Sequence, residues 1–183
     1  AQPTDAPLFA NAEEKADFEA RHGKLAECGG VARARELCDS NRSVRVWLGI
    51  DSGSTTTKLA LVADDGEVID SFYASNEGDP LAIARDALIA LRDRYNSAGI
   101  QLIIAGVGVT GYGEDLFASA FSADCHTVET VAHARAAREF VLDASFILDI
   151  GGQDMKAMWV EDGIVRDIVV NEACSSGCGS FLE

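Results

Sequence analysis

The stretch Asp51-Ser52-Gly53-Ser54-Thr55-Thr56-Thr57-Lys58 decides the fold of this chain. A second stretch of the same kind follows nearly a hundred residues later, Asp149-Ile150-Gly151-Gly152-Gln153-Asp154-Met155-Lys156. In each, an extended apolar run ends in an aspartate, glycine follows, and a second extended run carries a lysine. Glycine lets backbone N–H groups approach phosphate oxygens closely. The matched pair predicts two lobes that grip one triphosphate from opposite sides.

Composition and charge exclude several classes of protein. The chain has 183 residues, 48% of them hydrophobic, which is enough to bury a core. Its 30 acidic and 15 basic residues give a net charge of -15, which opposes binding to nucleic acid or anionic membranes. The longest apolar run, residues 102–109, is too short to span a bilayer, and no signal-peptide pattern is present. We therefore expect a cytoplasmic protein with no nucleic-acid or membrane partner.

The five cysteines are an odd number at irregular spacing, which favours thiols or metal ligands over disulfides; they are Cys28, Cys38, Cys125, Cys174 and Cys178. Residues 1–44 differ in composition from the rest and are interpreted as a linker or docking arm with a helix at residues 13–22. No special role is predicted for Cys28 or Cys38. Because the chain starts at Ala1 and stops directly after a glycine-rich turn, we expect it to be an excised piece.

Residues 45–144 are predicted to form one complete α/β lobe. Three strands form a meander. The first ends at residue 50, the second spans residues 56–63 and the third spans residues 67–74. A helix should follow Asp79, which can cap it, with Pro80 in its first turn and Gly99 past its end. The apolar run at residues 101–109 predicts a strand covered on both faces of the sheet. Two further helices are predicted at residues 114–121 and 128–141.

Residues 145–183 are predicted to open a second lobe with the same meander. A strand starting at Phe146 leads into the second glycine turn, and a Glu161-Asp162-Gly163 turn precedes a strand at residues 164–170. The recurrence is typical of a duplicated fold.

Four motifs in register carry a resemblance to a known family. They are residues 49–58, Val109-Thr110-Gly111-Tyr112-Gly113, Ile150-Gly151-Gly152-Gln153-Asp154 and Asn171-Glu172-Ala173-Cys174-Ser175-Ser176-Gly177. Together they resemble the ATPase family that activates 2-hydroxyacyl-CoA dehydratases and includes the ATP-binding subunits of benzoyl-CoA reductase. The resemblance covers residues 45–183. It implies a ribonuclease H-like, actin/sugar-kinase-type ATPase fold, with the second lobe truncated after its opening meander.

The resemblance also implies cofactors and partners. Members are homodimers that share one 4Fe-4S cluster and use ATP hydrolysis, with ADP as product, to drive a low-potential electron into a partner dehydratase or reductase. Cys174 matches the first cluster cysteine, and a thiolate near a helix start is stabilised there by unpaired N–H groups. The family's second cysteine and adenosine-pocket glycines would fall beyond Glu183. Cys178 departs from the compact activators, and with the N-terminal arm it resembles the long fused activase proteins.

Site residues follow from the two turns. Asp51 and Asp149 are expected to hold Mg²⁺, which prefers oxygen ligands and keeps most of its water; the alternative is that they only cap turns. The nucleotide-binding set is expected to be Gly53, Ser54, Thr55, Thr56, Lys58, Gly151, Gly152, Gln153 and Lys156. Lys156 either reaches the nucleotide or points to solvent.

Catalytic candidates lie on the second turn and on the helix before it. Gln153 or Asp154 is expected to orient the attacking water. Glu129 is the candidate general base, although a glutamate near a helix start is also favourable through the helix dipole alone. His133 lies one helical turn after Glu129 and is interpreted as a packed or surface histidine.

Two other functions share these features. A small-molecule kinase of the sugar or acetate kinase type would use the same phosphate turns without a cluster cysteine. A non-catalytic module would keep the turns only for ATP sensing or docking. A Walker-type loop is absent from the sequence, as is a dinucleotide-binding glycine motif after a strand.

Overall fold

The computed structural model describes residues 8–21, 28–151 and 154–171. Its helices are α1 Ala12–Arg21, α2 Gly30–Leu37, α3 Pro80–Ser97, α4 Glu114–Phe121 and α5 Glu129–Phe140. Its strands are β1 Ser43–Ser52, β2 Thr56–Ala63, β3 Val68–Ser75, β4 Gln101–Thr110, β5 Cys125–His126, β6 Phe146–Ile150, β7 Met155–Glu161 and β8 Ile164–Asn171. No described helix is long and apolar enough to cross a bilayer.

The first sheet has the strand order β3-β2-β1-β4-β5. The meander β1-β2-β3 is antiparallel, whereas β4 lies parallel to β1, and β5 parallel to β4. Alternate residues of β1 and β2 are buried because successive side chains of a strand point to opposite faces. This buried face, with apolar residues such as Val46, Ile50 and Leu61, packs against helices to form the core.

Helix α3 confirms the predicted capping signals. The Asp79 carboxylate accepts a hydrogen bond from the Ala82 N–H at 3.1 Å, and Pro80 occupies the first turn. Gly99 follows the helix at a φ of +72°, a left-handed conformation that glycine adopts without steric cost. The helix buries Leu91 and Tyr95 against the sheet.

Two features of the first lobe differ from expectation. Helix α2 was not predicted, and its Ala34 is fully buried in the core. Strand β4 was expected to be covered on both faces, and this was wrong: Ile103 and Ile104 are 42% and 44% exposed. Strand β5 pairs only with Gly108 and Val109, so among the described residues the first part of β4 has no neighbouring strand on that side.

The second sheet, β6-β7-β8, is the predicted second meander. The turn between β6 and β7 repeats the geometry of the turn between β1 and β2. Asp51 faces Lys58 across the β1-β2 pair, and Asp149 faces Lys156 across β6-β7. The Gly53 N–H donates to the Thr56 carbonyl at 2.9 Å, and the Gly151 N–H donates to the Asp154 carbonyl at 2.9 Å. The two motifs therefore share both hairpin register and turn closure.

Candidate functional site

Both glycine turns face one cleft with a volume of about 900 Å³. The first turn contributes Gly53, Ser54, Thr55 and Thr56 to its wall, and the second contributes Ile150, Gly151 and Asp154. A cleft of this size suits a nucleotide-sized ligand. The two turns therefore meet at a common space rather than at separate surfaces.

Asp51 lies behind the wall of this cleft, bonded to Lys58. The Lys58 ammonium donates to Asp51 Oδ2 at 2.7 Å, and Lys58 itself lines the cleft. Asp51 Oδ1 is buried and accepts no hydrogen bond from any described residue. A buried carboxylate oxygen without a donor is costly unless a cation or water satisfies it. The oxygen therefore fits a hydrated divalent cation, which takes oxygen ligands.

Gly111 packs against the carboxylate of Asp51. Its φ is +95°, and a Cβ at this position would lie 2.5 Å from the Ser52 carbonyl oxygen and 2.7 Å from Asp51 Oδ1. Both distances are too short for a real side chain. Glycine is therefore required here by conformation and by space.

We expect Gly111→Ala to destabilise the protein by about 2 to 4 kcal/mol, because left-handed strain adds to a backbone collision. Gly66→Ala is the matched control, since Gly66 has a φ of +89° but open space around its Cβ position. That control is expected to cost about 1 kcal/mol, from the conformation alone. Urea denaturation of both variants checks the difference. Equal losses of unfolding free energy in Gly111→Ala and Gly66→Ala would show that Gly111 is not in tight contact with Asp51 and Ser52.

His133 on α5 reaches across to Asp149 on β6. His133 Nδ1 and Asp149 Oδ2 are 2.5 Å apart, and both side chains line the cleft. The hydrogen bond to Asp149 raises the pKa of His133, although burial opposes its charge. The same bond lowers the pKa of Asp149, again against burial. The charged pair is therefore favoured in the folded protein.

Charges from the first turn act on this pair. Lys58 helps to lower the pKa of Asp149, and Asp51 helps to raise the pKa of His133. The geometry agrees, because Asp51 bonds to Lys58 and Asp149 bonds to His133, and both Lys58 and His133 line the cleft.

The His133–Asp149 pair predicts a pH-dependent stability. Because the pKa of His133 is raised on folding, its contribution is complete below about pH 6.5 and is lost as pH rises through the folded-state value. Because the pKa of Asp149 is lowered, its contribution is present above about pH 3.9 and is lost as pH falls through its folded-state value. Urea unfolding from about pH 5 to about pH 9 should show the advantage of wild type over His133→Gln shrinking as pH rises. A constant difference would contradict the pairing.

Lys156 joins the second turn to α5. Its ammonium lies 2.9 Å from Glu129 Oε2 and 2.7 Å from Asp154 Oδ2, and its side chain is only 9% exposed. Burial opposes the charge, but the two carboxylates outweigh it and raise the pKa of Lys156. The other oxygen of Glu129, Oε1, lies 3.9 Å from His133 Nε2. Lys156 therefore points inward and connects two carboxylates at the cleft.

The structure brings most of the expected site residues together. Those lining the cleft are Gly53, Ser54, Thr55, Thr56, Lys58, Glu129, Asp149, Gly151 and Asp154. Asp51 lies behind Lys58 and Gly111, and Lys156 lies behind Glu129 and Asp154. Gly152, Gln153, Cys174 and Cys178 fall outside the described residues.

Some residues at the cleft were not assigned to the site from sequence. His133 was interpreted as a packed or surface histidine, but it bonds to Asp149; its spacing of four from Glu129 was the available signal. Tyr112, which belongs to the motif at residues 109–113, lines the cleft and is 90% exposed. Tyr73 also lines it, at the end of a strand that carries no motif.

Comparison with known proteins identifies relatives over most of the chain. The BadF/BadG/BcrA/BcrD ATPase family matches residues 48–183. The chain is 34% identical to the uncharacterized protein MJ0004 of Methanocaldococcus jannaschii, over 74% of the chain and 52% of that protein. It is 29% identical to the (R)-2-hydroxyglutaryl-CoA dehydratase activating ATPase of Acidaminococcus fermentans, over 74% of the chain and 50% of that protein.

A solved structure gives the same likeness. The activator of the 2-hydroxyisocaproyl-CoA dehydratase from Clostridium difficile, with bound ADPNP, aligns with a TM-score of 0.62 at 29% identity. The alignment covers 75% of this chain and 49% of that one. The chain thus spans about half the length of these relatives. The expected actin-like, sugar-kinase-type fold is confirmed by this match.

Proposed function

This chain belongs to the BadF/BadG/BcrA/BcrD ATPase family, and from that premise we propose that it is an ATP-hydrolysing module that activates a partner enzyme. The observation that carries the proposal is the pair of equivalent turns, Gly53–Thr56 and Gly151–Asp154, which face one cleft. A triphosphate between them would meet glycine backbone from both sides. The bound ADPNP of the Clostridium difficile activator supports a nucleotide as ligand.

Each charged side chain at the cleft has a separate proposed role in ATP hydrolysis. Asp51 and Asp149 would hold Mg²⁺ through oxygen ligands, and the unsatisfied Asp51 Oδ1 supports that role. The metal would supply charge stabilisation to the phosphoryl oxygens. Lys58 would offset phosphate charge from the first lobe. His133 would keep Asp149 ionised and oriented through their hydrogen bond.

Glu129 is the proposed general base. It lines the cleft on the same helix face as His133, and Lys156 holds one of its oxygens. That ion pair orients the carboxylate and balances its charge. Gln153 or Asp154 is proposed to orient the attacking water, and Asp154 lies beside Lys156 at the same wall.

The partner is proposed to be a dehydratase or reductase component. The dehydratase activator names of relatives support this class of partner. We further propose that hydrolysis is coupled to transfer of one low-potential electron from a 4Fe-4S cluster shared across a homodimer, with Cys174 as one ligand. Cysteine thiolate is the usual ligand of such clusters. The acyl-CoA or other acceptor belongs to the partner.

Two lobes organise this function. We propose a first lobe that includes α2 and extends to residue 144, and a second that opens at residue 145. Helix α5 belongs to the first lobe but bonds to the second through His133 and Glu129. Nucleotide binding between the turns would therefore act on both lobes through this helix.

The experiment that tests the proposal combines two assays on the full-length protein. Hydrolysis of ATP is measured first, with and without Mg²⁺. A panel of small molecules is also screened for ATP-dependent phosphorylation. Anaerobic reconstitution with iron and sulfide then tests for a 4Fe-4S absorption spectrum, with Cys174→Ser as the comparison. We expect Mg-dependent phosphate release and a spectrum that Cys174→Ser loses. Phosphorylated product without iron would instead favour the kinase function.

A further inference from the structure

Asn76 lies directly behind the first glycine turn. It follows β3 and precedes the capping residue of α3, and it is 8% exposed. Neither turn motif includes it, and it does not line the cleft. A buried amide usually has a full set of hydrogen-bond partners, so its partners indicate what it holds.

Those partners are three alternate residues of the first turn, Gly53, Thr55 and Thr57. The Asn76 Nδ2 donates to the Gly53 carbonyl at 2.9 Å. The Asn76 main-chain N–H donates to the Thr55 carbonyl at 2.9 Å. The Thr57 hydroxyl, which is fully buried, donates to Asn76 Oδ1 at 2.7 Å and so fixes the amide. Asn76 therefore contacts the turn at Gly53, Thr55 and Thr57.

These bonds determine where the turn's N–H groups point. In a planar trans peptide, the carbonyl of one residue and the N–H of the next point in opposite directions. With the carbonyls of Gly53 and Thr55 directed at Asn76, the N–H groups of Ser54 and Thr56 are directed away from it. Ser54 and Thr56 line the cleft, together with Gly53 and Thr55. A carbonyl facing the cleft would instead repel a phosphate oxygen.

We propose that Asn76 is a positioning residue for the phosphate turn, which turns two carbonyls away from the cleft so that N–H groups face the bound nucleotide. This inference rests on the proposed nucleotide-binding function. Asn76 does not line the cleft and acts through its bonds to Gly53, Thr55 and Thr57.

The competing role for Asn76 is purely structural, as part of the β3-α3 connection. Its main-chain carbonyl accepts from the Asp79 N–H at 2.8 Å, and its main-chain N–H bonds to Thr55. Both bonds survive any side-chain substitution. Asn76→Ala therefore removes only the contacts to Gly53 and Thr57, which keeps the variant foldable.

Asp79→Ala is the matched control. Asp79 lies three residues away and caps α3 without contacting the turn, so its loss lowers the stability of the same connection. Thr57→Val is a second variant, which removes one bond to Asn76 and leaves the bond to Gly53. If Asn76→Ala fails to fold, Thr57→Val decides the question by the same measurements.

Three measurements on the protein test the proposal: the Kd for Mg-ADPNP, the KM and kcat for Mg-ATP, and the exchange rate of the Gly53 amide without nucleotide. For Asn76→Ala we expect Kd and KM to rise about tenfold while kcat changes about twofold or less, because the same N–H groups bind ground and transition states. Exchange of the Gly53 amide should also accelerate about tenfold. For Thr57→Val the same changes should be about threefold. Asp79→Ala should leave Kd, KM and this exchange rate within about twofold.

A Kd for Mg-ADPNP equal to that of wild type in Asn76→Ala would overturn the proposal. If Asn76→Ala does not fold, the same result in Thr57→Val would overturn it. So would an equal rise in Asp79→Ala. If the protein bound no Mg-ADPNP at all, the proposed function would fail separately. Exchange of the Gly53 amide would then be the only test. Faster exchange in Asn76→Ala, or in Thr57→Val if Asn76→Ala does not fold, would support the proposal that Asn76 positions the turn, and unchanged exchange would overturn it.

Discussion

Asp51→Asn will reduce Mg-dependent ATP hydrolysis by about 100-fold, equivalent to about 2.7 kcal/mol of activation free energy. Asparagine has nearly the same shape as aspartate but carries no charge, so it binds a divalent cation poorly. The buried Asp51 Oδ1, which has no donor among the described residues, is the atom whose role is tested. Steady-state phosphate release across a Mg²⁺ titration measures the effect.

The stability of this variant should change little. Lys58 is 42% exposed, so loss of its ion pair with Asp51 costs about 1 kcal/mol or less. Asp64→Asn is the matched control, because Asp64 accepts hydrogen bonds from Arg45 and Trp47 outside the cleft. Its hydrolysis should equal that of wild type. Wild-type hydrolysis in Asp51→Asn would remove Asp51 from the metal site.

Lys156→Met will destabilise the protein by about 2 to 4 kcal/mol. Removing one partner of a buried ion pair leaves an uncompensated charge, and here Lys156 has two carboxylate partners. The side chains of Glu129 and Asp154 are 32% and 30% exposed, so water stabilises their charges in part when Lys156 is removed. The free energy of unfolding in urea is the measurement.

Two further variants separate charge from packing at this position. Lys15→Met breaks an exposed pair with Glu19 and should change stability by about 0.5 kcal/mol or less. Glu129→Gln added to Lys156→Met removes one uncompensated carboxylate and should recover part of the lost stability. Identical unfolding curves for wild type and Lys156→Met would show that the inward-pointing lysine is not an important link between α5 and β7.

The strands and turns around the two aspartates were predictable because their signals are local. A β-branched run, an aspartate and a glycine specify a hairpin from neighbouring residues alone. The same holds for α3, whose capping aspartate and proline occupy adjacent positions. The resemblance to the activator family is confirmed by the family match over residues 48–183.

The parts that were not predictable depend on contacts distant in sequence. His133 and Asp149 are 16 residues apart, and their bond exists only because α5 lies against β6. The inward orientation of Lys156 depends on Glu129 of that same helix. The exposure of Ile103 and Ile104 on β4 depends on what packs against the faces of the sheet, which the apolar run of β4 does not encode. Asn76 belongs to no sequence motif, and its side chain bonds to a turn 23 residues earlier.

Hydrogen exchange with and without Mg-ADPNP tests most directly whether the two turns close on one nucleotide. The account predicts that amides of residues 53–56 and of residues 151–154 are protected together, at the same nucleotide concentration. Protection of one turn alone, or of neither, would contradict it.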